Sequence, residues 1–146
     1  MEMEENSAEL DASEQLMELA FFAMDYGIDN VRGGGALVPF LVTVTGTGRK
    51  FYRLALPKLE EGVEKGRTMI RELGEETLQY ALAYDGYFTR PDGQRLDAIF
   101  VEAADRGQDT YIFAQQYRPK RFLRGLKVVG NIAFVGKASP RGESAV

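Results

Sequence analysis

Four carboxylates lie close together in the segment YDGYFTRPDGQRLDAIFVEA (residues 84–103) of a 146-residue chain that contains no histidine and no cysteine. They are Asp85, Asp92, Asp97 and Glu102. Paired carboxylates can share a proton, or they can hold a hard metal ion such as Mg²⁺ or Mn²⁺, which prefers oxygen ligands. Whether any of these four carboxylates can share a proton or a metal ion therefore depends on which of them lie on the same face of the structure.

The lack of histidine and cysteine excludes several classes of site. Without imidazole or thiolate there is no Ser-His-Asp or Cys-His nucleophile, no zinc site built on sulfur and no disulfide. No side chain has an unperturbed pKa near neutrality. Any cofactor must be held without His or Cys ligands, and any catalysis depends on carboxylates, lysine, tyrosine or a hard metal ion.

The segment RPDGQ, residues 90–94, separates the carboxylates. Proline suits the first position of a tight turn and glycine its left-handed last position, which predicts a hairpin loop with Asp92 in the turn. Pairing outward from this loop places Tyr87 opposite Asp97. Because successive residues of a strand point to opposite faces, Glu102 is predicted on the face opposite to Asp97.

Asp85 is predicted to lie diagonally from Asp97 on one face, within the reach of diagonal neighbours. If the next turn has an odd number of residues, a polar row of Tyr87, Asp97 and Gln115 crosses three strands, whereas a four-residue turn brings Gln116 instead. Three interpretations remain. The row supplies hydrogen bonds that hold the strand register, or Asp85 and Asp97 bind Mg²⁺ or Mn²⁺, or the row lines a small-ligand pocket without a metal.

Helical and strand patterns place the hairpin in an α+β fold of order αββαββββ. A capping box at Asn6 and helical spacing of apolar residues predict a first helix over residues 7–25 that ends at Gly27. A second helix is predicted from Pro57 to just before Gly74. No crossover helices separate the last four strands, which favours a mostly antiparallel sheet packed against two helices. The predicted strands are LVPFLVTV, RKFYRLAL, LQYALAYDGYFT, RLDAIFVEA, TYIFAQQY and LKVVGNIAFVG.

The length of the chain predicts a single domain over residues 1–146, with tails at 1–6 and 138–146 that are expected to fray. An acidic N-terminus, without an apolar run of the roughly 20 residues that span a bilayer, predicts a cytoplasmic protein. The strands from residue 78 onward carry apolar side chains on both faces. In a sheet with one face exposed to solvent, apolar and polar side chains would alternate along each strand. The sequence therefore predicts a homodimer in which self-association completes the burial.

Charge is distributed unevenly along the chain. Residues 1–30 carry nine acidic groups and no Lys or Arg, whereas residues 118–137 carry six basic groups and no acid. We expect these segments to neutralise each other, within one subunit or across a dimer. The basic segment also contains candidates for contact with an anion or a nucleic acid, although a pI of about 5.0 weighs against general nucleic-acid affinity. These candidates are Arg118, Lys120, Arg121, Arg124 and Lys127.

The segments YALAYDGYFTRPDGQRLDAIFVEA, IFAQQYRP and GNIAFVG resemble a set of small bacterial proteins of unknown function, over about residues 36–136. The resemblance implies a bacterial cytoplasmic protein with an α+β domain, and it carries over no activity and no site residues. The residues themselves favour a non-enzymatic, homodimeric interaction or accessory protein. The alternatives are a metal-assisted hydrolase that uses Asp85 and Asp97, and an anion- or nucleic-acid-binding protein that uses residues 117–127.

Overall fold

The computed structural model describes residues 12–119 and 126–140. In these residues the strands form one antiparallel sheet in the order β2-β1-β3-β4-β5, and β6 and β7 pair with successive parts of β5. The predicted α+β class and its αββαββββ order are confirmed, with the last predicted strand divided in two. The elements are α1 (Glu14–Arg32), β1 (Phe40–Thr45), β2 (Gly48–Arg53), α2 (Leu59–Arg71), β3 (Thr77–Thr89), β4 (Arg95–Asp105), β5 (Thr110–Pro119), β6 (Leu126–Val128) and β7 (Ala133–Ala138).

One helix packs on each face of the sheet. The α1 face carries Ala83 and Ile99, which are buried with the apolar side chains of α1. The α2 face carries Tyr80 and Leu82, which are buried with Ile70 of α2. Helices of the same chain therefore pack on both apolar faces of these strands, and the homodimer predicted from the same pattern stays a prediction.

The first helix differs from its predicted boundaries at both ends. It begins after Ser13, whose hydroxyl accepts a hydrogen bond from the Leu16 N–H at 3.1 Å, while the predicted cap at Asn6 lies outside the described residues. Gly27 does not end the helix, which continues past it to Arg32. Burial against the sheet outweighs the low helix propensity of glycine at this position.

The second helix begins at Leu59, so Pro57 precedes it rather than opening it. The Glu61 carboxylate accepts the Lys58 N–H at 3.3 Å, which satisfies one main-chain donor at this end of the helix. The buried faces of the helix include Gly62, which lets α2 lie close to the strands beneath it.

The β3–β4 hairpin has the predicted register. The Arg90 N–H donates to the Gln94 carbonyl at 2.8 Å, and Gly93 adopts the left-handed conformation with φ of 88°. Asp92 stays in the turn, where its carboxylate accepts the Gln94 N–H at 2.9 Å. Further along the strands, Tyr87 pairs with Asp97 as predicted.

The register of β4 with β5 confirms the odd-numbered turn, because Ile99 pairs with Gln115. The strand predicted over residues 126–136 is interrupted between β6 and β7, where Gly130 has a positive φ of 72°. The side-chain amide of Gln115 donates to the main-chain oxygens of Val129 and Gly130 at 3.2 Å each. The side-chain amide of Gln115 therefore bonds to the main chain at this interruption. Gln115 lies opposite Ile99, two residues along β4 from Asp97, and not opposite Asp97 itself.

Parts of the prediction fall on residues that the structure does not describe. The tail at 1–6 and most of the tail at 138–146 lie there, as does much of the charge on the acidic and basic segments. In the ranges 12–119 and 126–140, neither helix is long and apolar enough to cross a membrane.

Candidate functional site

The free edge of the β3–β4 hairpin borders a cleft of about 840 Å³. β1 pairs with β3 only as far as Phe40 opposite Ala83, whereas β3 continues beside β4 to its end. Pro39, just before β1, has no N–H with which to extend the ladder. Gly34 and Gly35 have φ of 97° and 87°, in the left-handed region that glycine adopts without strain, between α1 and β1. Beyond Ala83 the edge of β3 has no strand partner, and its residues 84–87 line the cleft.

Helices border the cleft on both sides of the sheet edge. The end of α1 and residues 34–36 lie on one side, and the first turns of α2 lie on the other. The volume is within the range of about 300 to 1,000 Å³ that is usual for small-ligand sites. The titratable side chains that line it are Glu60, Glu64, Arg67, Tyr84, Asp85, Tyr87, Arg95, Asp97 and Tyr117.

Asp85 is hydrogen-bonded on both of its carboxylate oxygens. The Tyr117 hydroxyl lies 2.8 Å from Oδ1 and 2.9 Å from Oδ2, and the Leu37 N–H also donates to the carboxylate. Burial raises the pKa of Asp85 above its ordinary 3.8, although the hydrogen bonds from Tyr117 and Leu37 act in the opposite direction. The negative charge of Asp97 raises it further. The charge on Asp85 is therefore only partly compensated.

Tyr117 is one of the cleft residues that the sequence interpretation missed, because it was grouped with the basic segment. Its side chain is buried, and burial together with the hydrogen bond to Asp85 raises the pKa of its phenol above the ordinary 10.0. The hydroxyl therefore stays protonated at neutral pH and donates to Asp85. Tyr117 lies two residues after Gln115 on the same strand face, so the odd-numbered turn already contained the signal for it.

Asp97 lies opposite Tyr87, with 33% of its side chain exposed. Arg95 Nε lies 3.4 Å from Asp97 Oδ1, and the Arg95 guanidinium carbon lies 4.2 Å from the centre of the Tyr87 ring. The polar row of the structure thus combines Tyr87 and Asp97 with Arg95 and Tyr117. The stacked arginine shows that an aromatic face in this cleft accepts a cation.

Arg67 reaches the cleft from the α2 face, where it forms an ion pair with Glu102. Its Nη2 lies 2.5 Å from Glu102 Oε2, and the Tyr84 hydroxyl donates to the same oxygen at 2.6 Å. Glu102 is 1% exposed and lies on the face opposite to Asp97, as predicted. Burial lowers the pKa of Arg67, but the hydrogen bond and charge of Glu102 outweigh it and keep that pKa above its ordinary value. The positive charge of Arg67 is thus already matched by a carboxylate.

Asp85 and Asp97, the predicted metal ligands, line the same cleft. Within the described residues no group of three or more acidic side chains is arranged to hold a metal ion. The Tyr117 hydroxyl is hydrogen-bonded to both oxygens of Asp85. A metal ion bound to Asp85 would share these oxygens with the hydroxyl.

Of the predicted anion-binding residues, Arg118 and Lys127 lie in the described ranges. Arg118 is exposed on β5, and its main chain pairs with that of Lys127 on β6. Lys120, Arg121 and Arg124 lie outside the described residues. Arg118, whose side chain the structure describes, does not line the cleft.

Comparison of the chain with protein-family models, with curated proteins and with solved structures finds no match. The resemblance to small bacterial proteins stays a prediction. What the chain binds has to be inferred from the geometry and the charge of the cleft.

Proposed function

We propose that the protein is a binding protein whose cleft takes an organic cation, a ligand with a protonated amine or a guanidinium group. The observation that carries this proposal is the charge of the lining. Four carboxylates and two guanidinium groups line the cleft, from Glu60, Glu64, Asp85, Asp97, Arg67 and Arg95. Arg67 is paired with Glu102, its Nη1 lies 3.8 Å from Glu64 Oε1, and Arg95 is paired with Asp97. The four carboxylates outnumber the two guanidinium groups, so the lining keeps a net negative charge that attracts a cation.

Asp85 and Asp97 define where the cation binds. The charge of Asp97 disfavours ionisation of Asp85, so a positive group near both carboxylates relieves this repulsion. Tyr84, Tyr87 and Tyr117 line the same space, and the exposed ring of Tyr87 already takes the Arg95 guanidinium on one face. The cleft thus combines the two kinds of group that recognise organic cations.

A binding role agrees with the non-enzymatic protein that the sequence favours. The metal-assisted hydrolase that uses Asp85 and Asp97 is the less favoured alternative, because within the described residues no third acidic side chain joins them to hold a metal ion. An organic cation needs no such third ligand, and it can approach Asp85 from the cleft while Tyr117 stays hydrogen-bonded to the carboxylate.

Isothermal titration calorimetry with n-butylamine and n-butylguanidine tests the proposal. We expect both to bind and sodium phosphate not to bind. Asp97→Asn removes one of the two recognising carboxylates and should weaken binding by about tenfold. The matched control is Asp109→Asn, which removes the same charge from an exposed position beyond the far end of β4 and should leave the affinity unchanged.

Failure of both organic cations to bind at millimolar concentration would overturn the proposal, and so would an equal loss of affinity in the two variants. A parallel thermal unfolding series with MgCl₂ and MnCl₂ tests the alternative. Ligands that bind only the folded state raise the melting temperature. A rise with the metal ions that Asp97→Asn abolishes, without binding of the amines, would favour the hydrolase.

A further inference from the structure

The cleft contains an unpaired strand edge as well as charge. β3 pairs with β4 as far as Thr89, but on its other side β1 stops opposite Ala83. Residues 85–89 therefore have a neighbouring strand on one side only. A strand edge of this kind presents main-chain N–H and C=O groups that another extended segment can bind.

The direction of these main-chain groups follows from the hairpin. Arg90 donates to the carbonyl of Gln94, so Arg90 directs its main-chain bonds toward β4. Hydrogen-bonded and non-hydrogen-bonded residues alternate along an antiparallel pair. The N–H and C=O groups of Asp85, Tyr87 and Thr89 therefore point away from β4, toward the side that β1 has left. In the described part of the chain, no loop residue forms a main-chain hydrogen bond with Asp85, Tyr87 or Thr89.

The walls of the cleft leave room for a strand at this edge. Residues 34–36 are Gly, Gly and Ala, and they border the cleft beside the end of α1. On the other side the wall is formed by the first turns of α2, including Leu59 and Val63. These elements lie on opposite faces of the sheet, so the open space continues the plane in which an added strand would lie.

Carboxylates lie on both sides of that plane. Asp85 and Asp97 belong to the α1 face, whereas Glu60 and Glu64 project from α2 on the opposite face. Successive side chains of a strand point to opposite faces. An added strand with Lys or Arg residues therefore meets a carboxylate whichever face these side chains occupy.

We propose that the ligand of the cleft is an extended peptide segment bearing lysine or arginine, which adds as a strand to the free edge of β3 at residues 85–89. This inference rests on the proposed recognition of an organic cation and names the class of ligand that carries it. Main-chain hydrogen bonds to Asp85, Tyr87 and Thr89 hold the segment, and the carboxylates of the cleft select its basic side chains.

Five probes separate the contributions to binding. They are acetyl-Thr-Lys-Val-Lys-Thr-amide, two versions of this peptide N-methylated at one or the other set of alternate residues, a peptide with Glu in place of Lys, and n-butylamine. We expect the lysine peptide to bind about tenfold more tightly than n-butylamine, because it adds main-chain hydrogen bonds to the same charge recognition. N-methylation on the edge-facing residues should remove that gain, and the glutamate peptide should not bind. An added strand can run parallel or antiparallel to β3, so both alternate N-methylation patterns are made.

Amide hydrogen exchange followed by NMR gives a readout specific to strand addition. The lysine peptide should slow exchange at Asp85, Tyr87 and Thr89 and leave Gly86 and Phe88 unchanged, while n-butylamine should not produce this alternation. If the lysine peptide binds no more tightly than n-butylamine, or binds without the alternating protection, strand addition is wrong while the cation site stands. If neither the peptide nor the amine binds, the proposed function itself is wrong.

Discussion

Replacing Gly62 with alanine tests how closely α2 must approach the sheet to form its wall of the cleft. A Cβ added at Gly62 would lie 2.5 Å from the carbonyl oxygen of Leu54 and 3.2 Å from Cγ of Pro39. A carbon–oxygen contact needs about 3.3 Å. The Leu54 main chain is held by its N–H, which donates to the Pro39 carbonyl at 2.9 Å. We therefore expect α2 to shift outward in the variant.

Two effects of opposite sign decide the change in stability. Alanine is favoured over glycine in a helix interior by about 1 kcal/mol. Overpacking against a well-packed interior costs about 1 to 3 kcal/mol, and the upper end applies here because the clash is with main chain rather than a mobile side chain. We expect Gly62→Ala to lower the free energy of unfolding by about 1 to 2 kcal/mol after the gain in helix propensity.

Gly27→Ala is the matched control, because Gly27 is also buried inside a helix. A Cβ added there would lie 3.4 Å from the side chains of Ile99 and Leu37, which is an ordinary contact. Only the propensity effect remains, so this variant should be as stable as the natural chain or more stable by up to about 1 kcal/mol.

Urea denaturation followed by circular dichroism measures both free energies of unfolding, and calorimetry measures the affinity for n-butylamine. We expect Gly62→Ala to lose stability and affinity together, and Gly27→Ala to lose neither. A Gly62→Ala protein as stable as the Gly27→Ala protein would refute the close approach of α2, and with it the α2 wall of the cleft.

Three further predictions concern the charged residues of the site. Tyr117→Phe removes the donor to Asp85 and should lower the free energy of unfolding by about 1.5 to 3 kcal/mol at neutral pH. The lost hydrogen bond stabilises the ionised carboxylate of Asp85, so the loss of stability should be smaller in acid than at neutral pH. Urea denaturation that shows the same loss at acidic and at neutral pH would contradict the hydrogen bond from Tyr117 to ionised Asp85. Arg67→Met removes the ion-pair partner of Glu102, which is 1% exposed. It should lower the free energy of unfolding by about 3 to 5 kcal/mol in the same assay, because a buried charge loses its ion-pair partner. The control Glu64→Gln, at an exposed acid, should change stability by less than about 0.5 kcal/mol. Because the folded-state pKa of Asp85 is raised above 3.8, ionisation of Asp85 reduces stability as the pH rises from this value, whereas the affinity for n-butylamine should increase over the same range. A calorimetric affinity that does not change from acid to neutral pH would exclude Asp85 from the binding site.

The hairpin was predictable from sequence because its determinants are local. The turn residues at 90–94 set the loop, and the two-residue period of a strand then places every side chain on a face. The separation of Asp92 and Glu102 from Asp85 and Asp97 followed from these two facts alone. Longer-range pairing added only one uncertainty, the length of the turn before β5.

The boundaries of the first helix and the cleft itself were not predictable in this way. Gly27 has the local signature of a helix end, but the contacts of α1 with the sheet carry the helix past it. The cleft depends on where β1 stops relative to β3 and on which face each helix occupies. Those relations bring Tyr117 beside Asp85 and Arg67 to the opposite side of the same cleft, and no sequence spacing records them.

The early end of β1 accounts for both properties of the cleft. Proteins usually protect a free strand edge with charge, proline or a covering segment, because an open edge pairs with other chains. Here the edge of β3 is recessed between α1 and α2, and acidic side chains lie on both of its sides. A second copy of this chain would bring carboxylates against carboxylates at that edge, which disfavours self-pairing there. A basic segment meets no such repulsion, so the same acidic lining that protects the edge also selects the ligand proposed for it.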